Sequence, residues 1–337
     1  MTRIGMIGTG NFARQHAEIL EKLNCKIVGC HGTNKDKTFA FSNEFNCKIF
    51  ENPVDLISPH AIDVLYIAIP PFAHNGNVEN HAIKQKIPFL CEKPVGLDLS
   101  TCKKIADKIL ETNLITSSGY LLRYEPLLNH VKKIIQRNKI SAIRICSYSY
   151  MPEVHWWRKK ELSGGMMVES GTHYIDLLRY LFGEITSVAS IASKGFADKN
   201  IADCNLDDSM EAILKFQSGM IASIGVTHLL NKINARNDEL LVYGEDFALK
   251  IDLYKLRYKN EATVLYKEVN DKEWITLSNP TSKQLLLEYE TSAFINAIKA
   301  NCPSLIKSTY PDGVKSLEVA LAMNQSAEEQ HFIEILS

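Results

Sequence analysis

The sequence predicts an α/β protein that begins with a Rossmann domain, a doubly wound parallel sheet, and continues with an α+β domain whose sheet is largely antiparallel. Three observations support this fold class. The chain opens with a strand, a glycine turn and a helix; apolar runs alternate with helical patterns over the first third; and period-two alternation begins near residue 141. The 337 residues are enough for two domains of ordinary size, which we place at residues 1–122 and 123–337.

Composition and charge narrow the range of partners. Hydrophobic residues make up 45% of the chain, and 38 Lys and Arg residues nearly balance 39 Asp and Glu residues, giving a formal net charge of −1. Because neither sign forms a long run, the sequence indicates neither a nucleic-acid nor a membrane partner and favours a small molecule.

The chain carries the signs of a cytoplasmic protein. Its apolar runs, such as residues 64–69, are too short to cross a bilayer, and it opens into a strand instead of a signal peptide. The eight cysteines are scattered without a Cys-x-x-Cys pair, which argues against both a zinc site and a disulfide framework. We therefore expect reduced cysteines and no bound metal.

A dinucleotide-binding fingerprint follows the first predicted strand. The turn matches G-x-G-x-x-G/A, with Gly8 for the tight turn, Gly10 for approach to a pyrophosphate and Ala13 for close packing of helix on strand. An ordinary tight turn is the alternative, but the flanking strand and helix favour dinucleotide binding. The predicted cofactor contacts here are Gly8, Gly10, Asn11, Phe12 and Ala13.

The second predicted strand should end at the residue that contacts the adenosine ribose, about 20 residues beyond the fingerprint. NAD enzymes usually carry Asp or Glu there, whereas this chain has no acidic residue between that strand and Asp36. Thr33 and Asn34 can donate hydrogen bonds to a 2′-phosphate, and Lys35 or Lys37 can add positive charge. The sequence favours NADP over NAD, and a neutral loop that accepts either cofactor is the alternative.

The parallel sheet continues through apolar runs that alternate with helical patterns. The run at residues 63–69 ends in Pro70 and Pro71, which stiffen a loop on the ligand edge of the sheet, beneath the cofactor. His74 closes that loop and is more typical of a helix start than of a catalyst. All three residues are predicted to lie near the cofactor.

The last apolar run of this domain, residues 88–91, leads into Glu92-Lys93-Pro94. A lysine at this edge points into the crevice where a nicotinamide would lie. Pro94 is a position where a cis bond can aim the lysine, since Xaa-Pro is where the cis form costs least. A surface loop lysine is the alternative interpretation.

Residues 164–183 predict the helix around which the function is organised. At about 100° per residue, Glu169, His173, Asp176 and Tyr180 share one narrow stripe, opposite an apolar face. A carboxylate four residues before an imidazole can hold its tautomer and raise its basicity, so the pair is a candidate general base. The alternative is a solvated helix face. Gly183 ends the pattern as a helix C-cap does.

Together these motifs resemble the Gfo/Idh/MocA oxidoreductase family, which includes glucose-fructose oxidoreductase and inositol dehydrogenase. The matching stretches lie at residues 8–13, 70–74, 92–94, 120–126, 164–176 and 312–317. Of these, Glu-Lys-Pro together with the Gly-Gly…His…Asp helix is the most specific. The chain departs from the family at Glu169, where Asp is common, and in lacking an acid after the second strand, as NADP-using members do.

The resemblance implies roles for individual residues. Lys93 and His173 serve catalysis, with Glu169 orienting His173, and Glu92 lies in the cofactor-binding motif with Lys93. Arg123 and Tyr124 line the substrate crevice. Asp176 either holds a substrate hydroxyl or anchors its helix.

The second domain is marked by alternating strands between residues 142 and 252, with turns at 217–219 and 243–245, and by helices at 285–300 and 314–330. The helix at 164–183 should pack on one face of this sheet, which leaves the other face for a partner subunit. The resemblance implies a homodimer or homotetramer formed through that sheet. Trp157 is either a sugar platform or a loop anchor.

We therefore expect an NAD(P)-dependent enzyme that transfers hydride between nicotinamide and a secondary alcohol or ketone of a sugar, inositol or nucleotide-sugar-like substrate. One alternative is a non-catalytic dinucleotide sensor, against which the presence of both Lys93 and His173 speaks. Another is a reductase of a dihydrodiol, imine or bilin-type substrate.

Overall fold

The computed structural model describes residues 1–230 and 235–335. The chain folds into two compact units, one formed by Met1–Leu121 with Leu287–Lys315 and the other by Leu122–Leu286 with Ser316–Ser337. The division after Leu121 lies one residue from the expected boundary, but the first unit also includes a later segment. The roles expected of the two domains stay predictions.

The segment Leu287–Lys315 belongs to the first unit because its apolar residues complete that core. Phe294 and Ala297 are fully buried and pack in one cluster with Ile4 and Leu20. Periodicity along a sequence marks the apolar side of a helix without saying which sheet will cover it. A boundary drawn along the sequence therefore missed this segment.

The first unit is built in the predicted order of alternating strands and helices. Its strands are β1 (Thr2–Ile7), β2 (Cys25–His31), β3 (Lys48–Ile49), β4 (Val64–Ile67), β5 (Phe89–Cys91) and β6 (Thr116–Ser118). Its first five helices are α1 (Asn11–Lys22), α2 (Lys35–Glu44), α3 (Pro53–Leu56), α4 (Asn77–Lys84) and α5 (Leu99–Thr112). The short strand β6 was not predicted.

These strands form a parallel sheet in the order β3-β2-β1-β4-β5-β6. Successive strands β1, β2 and β3 extend towards one edge of the sheet, and β4, β5 and β6 extend from β1 towards the opposite edge. Ligands of open parallel sheets bind where the strand order reverses, at the carboxyl ends of the strands. The ligand edge therefore lies where β1 and β4 end.

The second unit and the C-terminal helices follow. The elements are α6 (Leu128–Arg137), β7 (Ile140–Tyr148), α7 (Lys160–Ser163), α8 (Thr172–Phe182), β8 (Ile185–Ser193), α9 (Ala197–Asn200), β9 (Ser209–Phe216), β10 (Ile221–Thr227), β11 (Asn237–Gly244), β12 (Phe247–Asp252), α10 (Leu253–Tyr258), β13 (Glu261–Glu268), β14 (Ile275–Pro280), α11 (Lys283–Ala300), α12 (Tyr310–Glu329) and β15 (Ile333–Glu334).

Nine strands form the second sheet, in the order β14-β13-β12-β11-β7-β10-β9-β8-β15. Strands β7 and β10 are parallel and the other neighbours antiparallel, which confirms the predicted largely antiparallel sheet. Strands β13, β14 and β15 were not predicted. Strand β13 lacks period-two alternation because its buried residues, Ala262 to Val264, are consecutive.

One face of this sheet is buried and the other is exposed. In β9, Met210, Ala212, Leu214 and Phe216 are buried and the residues between them are exposed. Phe182 of α8 contacts Phe216 with ring centroids 6.0 Å apart, so α8 packs on the buried face as predicted. Of the helices within the described ranges, none has the length and hydropathy needed to span a bilayer.

Phe294→Ala tests the contribution of Leu287–Lys315 to the first core. We expect the free energy of unfolding in urea to fall by about 3–5 kcal/mol, because a fully buried phenyl ring is lost. Phe39→Ala is the control: that ring is 63% exposed, and its removal should change stability by less than about 0.5 kcal/mol. Equal effects would mean that the segment is not part of the core.

Candidate active site

The loop after β1 has the geometry of a pyrophosphate cradle. Gly8 has φ +103°, and a Cβ there would overlap the Ala68 carbonyl oxygen at the end of β4. Only glycine fits this turn. Its backbone N–H donates to the His31 carbonyl at 2.8 Å, which ties the loop to the end of β2.

Gly10 leaves the N-terminus of α1 open. It is the N-cap residue, and among the described atoms nothing lies within 4 Å of the position a Cβ would take. No side chain within residues 1–230 and 235–335 caps this helix, whose first turn holds Asn11, Phe12 and the buried Ala13. Backbone N–H groups at an open helix N-terminus favour an anion. The loop therefore fits the pyrophosphate of a dinucleotide.

The predicted ribose loop lies after β2 and is mostly exposed. The Asn34 side chain accepts a hydrogen bond from the Lys37 backbone N–H at 3.0 Å and so caps α2. Thr33 and the Lys37 side chain are exposed. The capping contact gives Asn34 a structural role that was not expected from the sequence, although Asn followed by a helical pattern is a typical N-cap signal.

The proline loop carries a buried histidine. Pro70 precedes a 3₁₀ turn, Pro71–Ala73, and His74 Nδ1 lies 2.8 Å from Glu79 Oε1. The interpretation of His74 as a helix start is wrong, because α4 begins three residues later and the imidazole is paired in the interior. His74, Glu79 and Cys91 have the composition of a metal site. His74 is bonded directly to Glu79, and the expectation of no bound metal stays a prediction.

The Glu92-Lys93-Pro94 motif follows β5, and its Lys93-Pro94 bond is cis. Glu92 is buried, and its Oε1 lies 2.7 Å from His16 Nε2 of α1. Glu92 thus has a partner inside the first unit, and His16 is a residue that the sequence motifs did not reveal. Its position in the buried stripe of α1 was the available signal, since a buried imidazole requires a polar partner. Lys93 is half-buried.

The helix expected at residues 164–183 is interrupted. Met167–Gly171 is a π-helical turn that leads directly into α8. The stripe drawn at 100° per residue is therefore wrong for Glu169, which lies in the wider turn, and right for His173 onward. Wide turns of this kind occur often at functional sites. Gly183, with φ +96°, caps α8 as predicted.

The polar stripe is not a solvated surface. Glu169, His173 and Tyr180 are half-buried and Asp176 is buried. A solvated helix face would expose these side chains, so their burial argues against that alternative. Both members of the candidate general base, Glu169 and His173, belong to the second unit.

Asp176 forms a buried ion pair with Arg123. Arg123 donates from Nε to Oδ2 at 2.8 Å and from Nη2 to Oδ1 at 2.7 Å. Ser316 Oγ also donates to Oδ1 at 3.0 Å. Burial raises the pKa of the Asp176 carboxyl, while the positive charge of Arg123 opposes this shift. Of the two interpretations of Asp176, these contacts favour the helix anchor. Tyr124 beside Arg123 is also buried.

Trp157 is packed inside the second unit. It is 6% exposed, and its ring contacts His228 with centroids 4.9 Å apart. His228 Nε2 lies 3.2 Å from Ser170 Oγ in the π-helical turn. These contacts favour the loop anchor over the sugar platform, and they identify His228 as a second residue that the sequence motifs did not reveal.

Two family models match the chain. Residues 2–120 match the oxidoreductase family with an NAD-binding Rossmann fold, and residues 128–250 match the GFO/IDH/MocA C-terminal domain. The chain belongs to the Gfo/Idh/MocA family. The resemblance inferred from the motifs is therefore confirmed, and residues 2–120 of this Gfo/Idh/MocA protein match an NAD-binding Rossmann fold.

Named relatives of this Gfo/Idh/MocA chain are distant. Glucose-6-phosphate 3-dehydrogenase of Bacillus subtilis is 29% identical over 204 residues, which cover 58% of this chain and only 57% of that protein. Myo-inositol 2-dehydrogenase of Thermotoga maritima is 23% identical over 345 residues, 99% of this chain and 98% of that protein. The structure of levoglucosan dehydrogenase in complex with NADH superposes with a TM-score of 0.85 at 17% identity and covers 99% of both chains.

Asp176→Asn tests the anchoring role. Removing the carboxylate charge takes away the buried ion pair between Arg123 and Asp176, so we expect the free energy of unfolding to fall by about 3–5 kcal/mol. Denaturation in guanidinium chloride measures the change. The control is Glu328→Gln, which breaks the exposed 2.7 Å pair with Lys160 and should cost no more than about 1 kcal/mol. Asp176→Asn with wild-type stability would contradict the anchor.

Proposed function

We propose that this protein catalyses reversible hydride transfer between a nicotinamide dinucleotide and a secondary alcohol or ketone carbon of a sugar, inositol or nucleotide-sugar-like compound. The observation that carries the proposal is the position of Lys93. It follows β5, on the same edge of the parallel sheet as the Gly8 loop after β1.

The strand order supports this placement. Carboxyl ends of parallel strands share one edge, and β1 and β5 are separated only by β4. Neighbouring strands lie about 4.8 Å apart, so Lys93 starts roughly 10 Å from the pyrophosphate loop. The adenosine half of a bound dinucleotide would extend towards the end of β2, where Thr33 and Lys37 lie. The nicotinamide half would then lie on the other side of that loop, towards Lys93.

The proposed mechanism divides the work among three side chains. A bound nicotinamide would supply the hydride chemistry, as acceptor or donor according to direction. His173 takes the proton from the substrate hydroxyl as general base. Lys93 donates a hydrogen bond to the substrate oxygen and stabilises the negative charge that develops there. Glu169 orients His173, and the Arg123–Asp176 pair holds α8, in which His173 is the second residue.

The relatives support the substrate class. Their names specify dehydrogenation of glucose 6-phosphate at position 3 and of myo-inositol at position 2, and the structural neighbour acts on levoglucosan. All three compounds are polyhydroxylated rings. We further propose a preference for NADP, supported by the ribose loop without an acid, and a cytoplasmic location.

The exposed sheet face supports a homodimer or homotetramer. Ile191 of β8, Ile213 of β9 and Ile221 of β10 are 80%, 46% and 56% exposed. Large apolar side chains grouped on one exposed sheet face are typical of a subunit interface.

Lys93→Ala and His173→Ala test the catalytic assignments. Each should lower kcat by about 10²–10⁴-fold, because a proton acceptor or an oxygen-stabilising cation is lost, while nicotinamide affinity changes much less. Turnover is followed by nicotinamide absorbance with myo-inositol, D-glucose, D-glucose 6-phosphate, levoglucosan and UDP-N-acetylglucosamine. Wild-type turnover by either variant would refute its role.

The matched controls are Lys104→Ala and His130→Ala. Both side chains are exposed, on α5 and α6. They remove the same functional groups away from the proposed site and should leave kcat unchanged. Cofactor binding by the wild type without turnover of any compound would favour the sensor alternative.

Lys37→Ala tests the NADP preference. Loss of a charge beside a 2′-phosphate should weaken NADPH binding about threefold to tenfold and leave NADH binding unchanged. Fluorescence titration of the reduced cofactors measures both affinities. Lys26→Ala is the control, since Lys26 is exposed at the opposite end of β2. An equal loss for NADH and NADPH would contradict a contact with the phosphate.

A further inference from the structure

His16 is a fully buried imidazole on α1, three residues after the last residue of the fingerprint. Its side chain is 0% exposed. The ring contacts Phe12 and Tyr66, with centroid distances of 5.8 and 5.3 Å. Polar side chains this deep in a core require hydrogen-bond partners, and His16 has one at each ring nitrogen.

The first partner is Glu92, which links the imidazole to the backbone of Lys93. Glu92 Oε1 lies 2.7 Å from His16 Nε2, and Oε2 accepts the Lys93 backbone N–H at 3.2 Å. The carboxylate thus spans from α1 to the residue after β5. Gly119, beyond β6, makes room for it, because a Cβ there would lie 2.5 Å from Oε2.

The second partner lies on α11. His16 Nδ1 is 3.2 Å from Thr291 Oγ1. The neighbouring Glu290 is also buried, and one of its carboxylate oxygens lies within 4.8 Å of a ring nitrogen of His16 and a carboxylate oxygen of Glu92. With a partner at each nitrogen, the imidazole cannot turn without losing a hydrogen bond. The ring is therefore held in one orientation towards Glu92.

We propose that His16 is a positioning residue that holds Lys93 in place for the reaction. The inference rests on the catalytic role proposed for Lys93. A hydrogen bond to a buried carboxylate is among the stronger ones in proteins, so it restricts where Glu92 can lie. Glu92 in turn restrains the Lys93 backbone, from which the ammonium extends. Because His16 lies on the helix that starts at the pyrophosphate loop, the same bond couples that helix to Lys93.

Amide hydrogen exchange tests the positioning directly, without cofactor or substrate. In protein labelled with ¹⁵N-lysine, the Lys93 amide should exchange about tenfold faster in His16→Leu than in the wild type, because Glu92 loses the bond that orients it. His16→Gln, whose amide can donate to Glu92, should restore slow exchange. Unchanged exchange in His16→Leu overturns the inference.

The control separates positioning from loss of packing. Phe294→Leu disturbs the same core at a ring whose centroid lies 5.7 Å from that of Tyr66. It should lower the melting temperature as His16→Leu does and leave the Lys93 amide exchange unchanged. Fast exchange of that amide in Phe294→Leu as well would assign His16 a purely structural role and overturn the inference.

Kinetics then separate this inference from the proposed function. With the compound that is turned over, His16→Leu should lower kcat about 10–100-fold with KM for the nicotinamide within about threefold of wild type, and His16→Gln should recover most of it. In a Lys93→Ala background, His16→Leu should lower kcat little further. Full kcat in His16→Leu with an inactive Lys93→Ala overturns only the positioning role, whereas full activity of Lys93→Ala overturns the proposed function.

Discussion

The geometry of the first unit depends on one steric constraint, the close approach of the Gly8 loop to the end of β4. Because β1 and β4 are neighbours at the point where the strand order reverses, the chain leaving β1 must pass directly over the Ala68 carbonyl. Only a residue without a Cβ can make that passage. The turn sets the start and direction of α1, and α1 carries both the open N-terminus and His16.

A buried carboxyl group with a specific partner lies close in the sequence to each of the proposed catalytic residues Lys93 and His173. In the first unit, Glu92 precedes Lys93 and pairs with His16. In the second, Asp176 lies one turn after His173 and pairs with Arg123. A buried carboxylate is costly to leave without its partner, so each pair permits few alternative arrangements. In both units, therefore, a buried carboxyl group paired with a side chain distant in the sequence restrains the segment that carries a proposed catalytic residue.

The π-helical turn at Met167–Gly171 explains why one pattern in the sequence was misleading. The residues have ordinary helical spacing, and an α-helix satisfies the apolar pattern equally well. A π-helical turn has less favourable backbone hydrogen bonds than an α-helix, and it persists only where the packing around it compensates. Here the turn holds Ser170 beside His228, which in turn packs on Trp157. These contacts come from distant parts of the chain, so no local pattern could report them.

The sequence by itself determined five of the six parallel strands, the glycine fingerprint, the strand that leads into Glu92-Lys93-Pro94, the cap at Gly183 and the family. These features depend on near neighbours in the chain, whose spacing reflects the geometry of one strand, turn or helix. Only the tertiary structure decided that Leu287–Lys315 completes the first core. It also decided that Glu92 pairs with His16 and that Arg123 pairs with Asp176. Each of those two pairs joins residues more than 50 positions apart, and side-chain pairing at that range is set by packing, which periodicity does not encode.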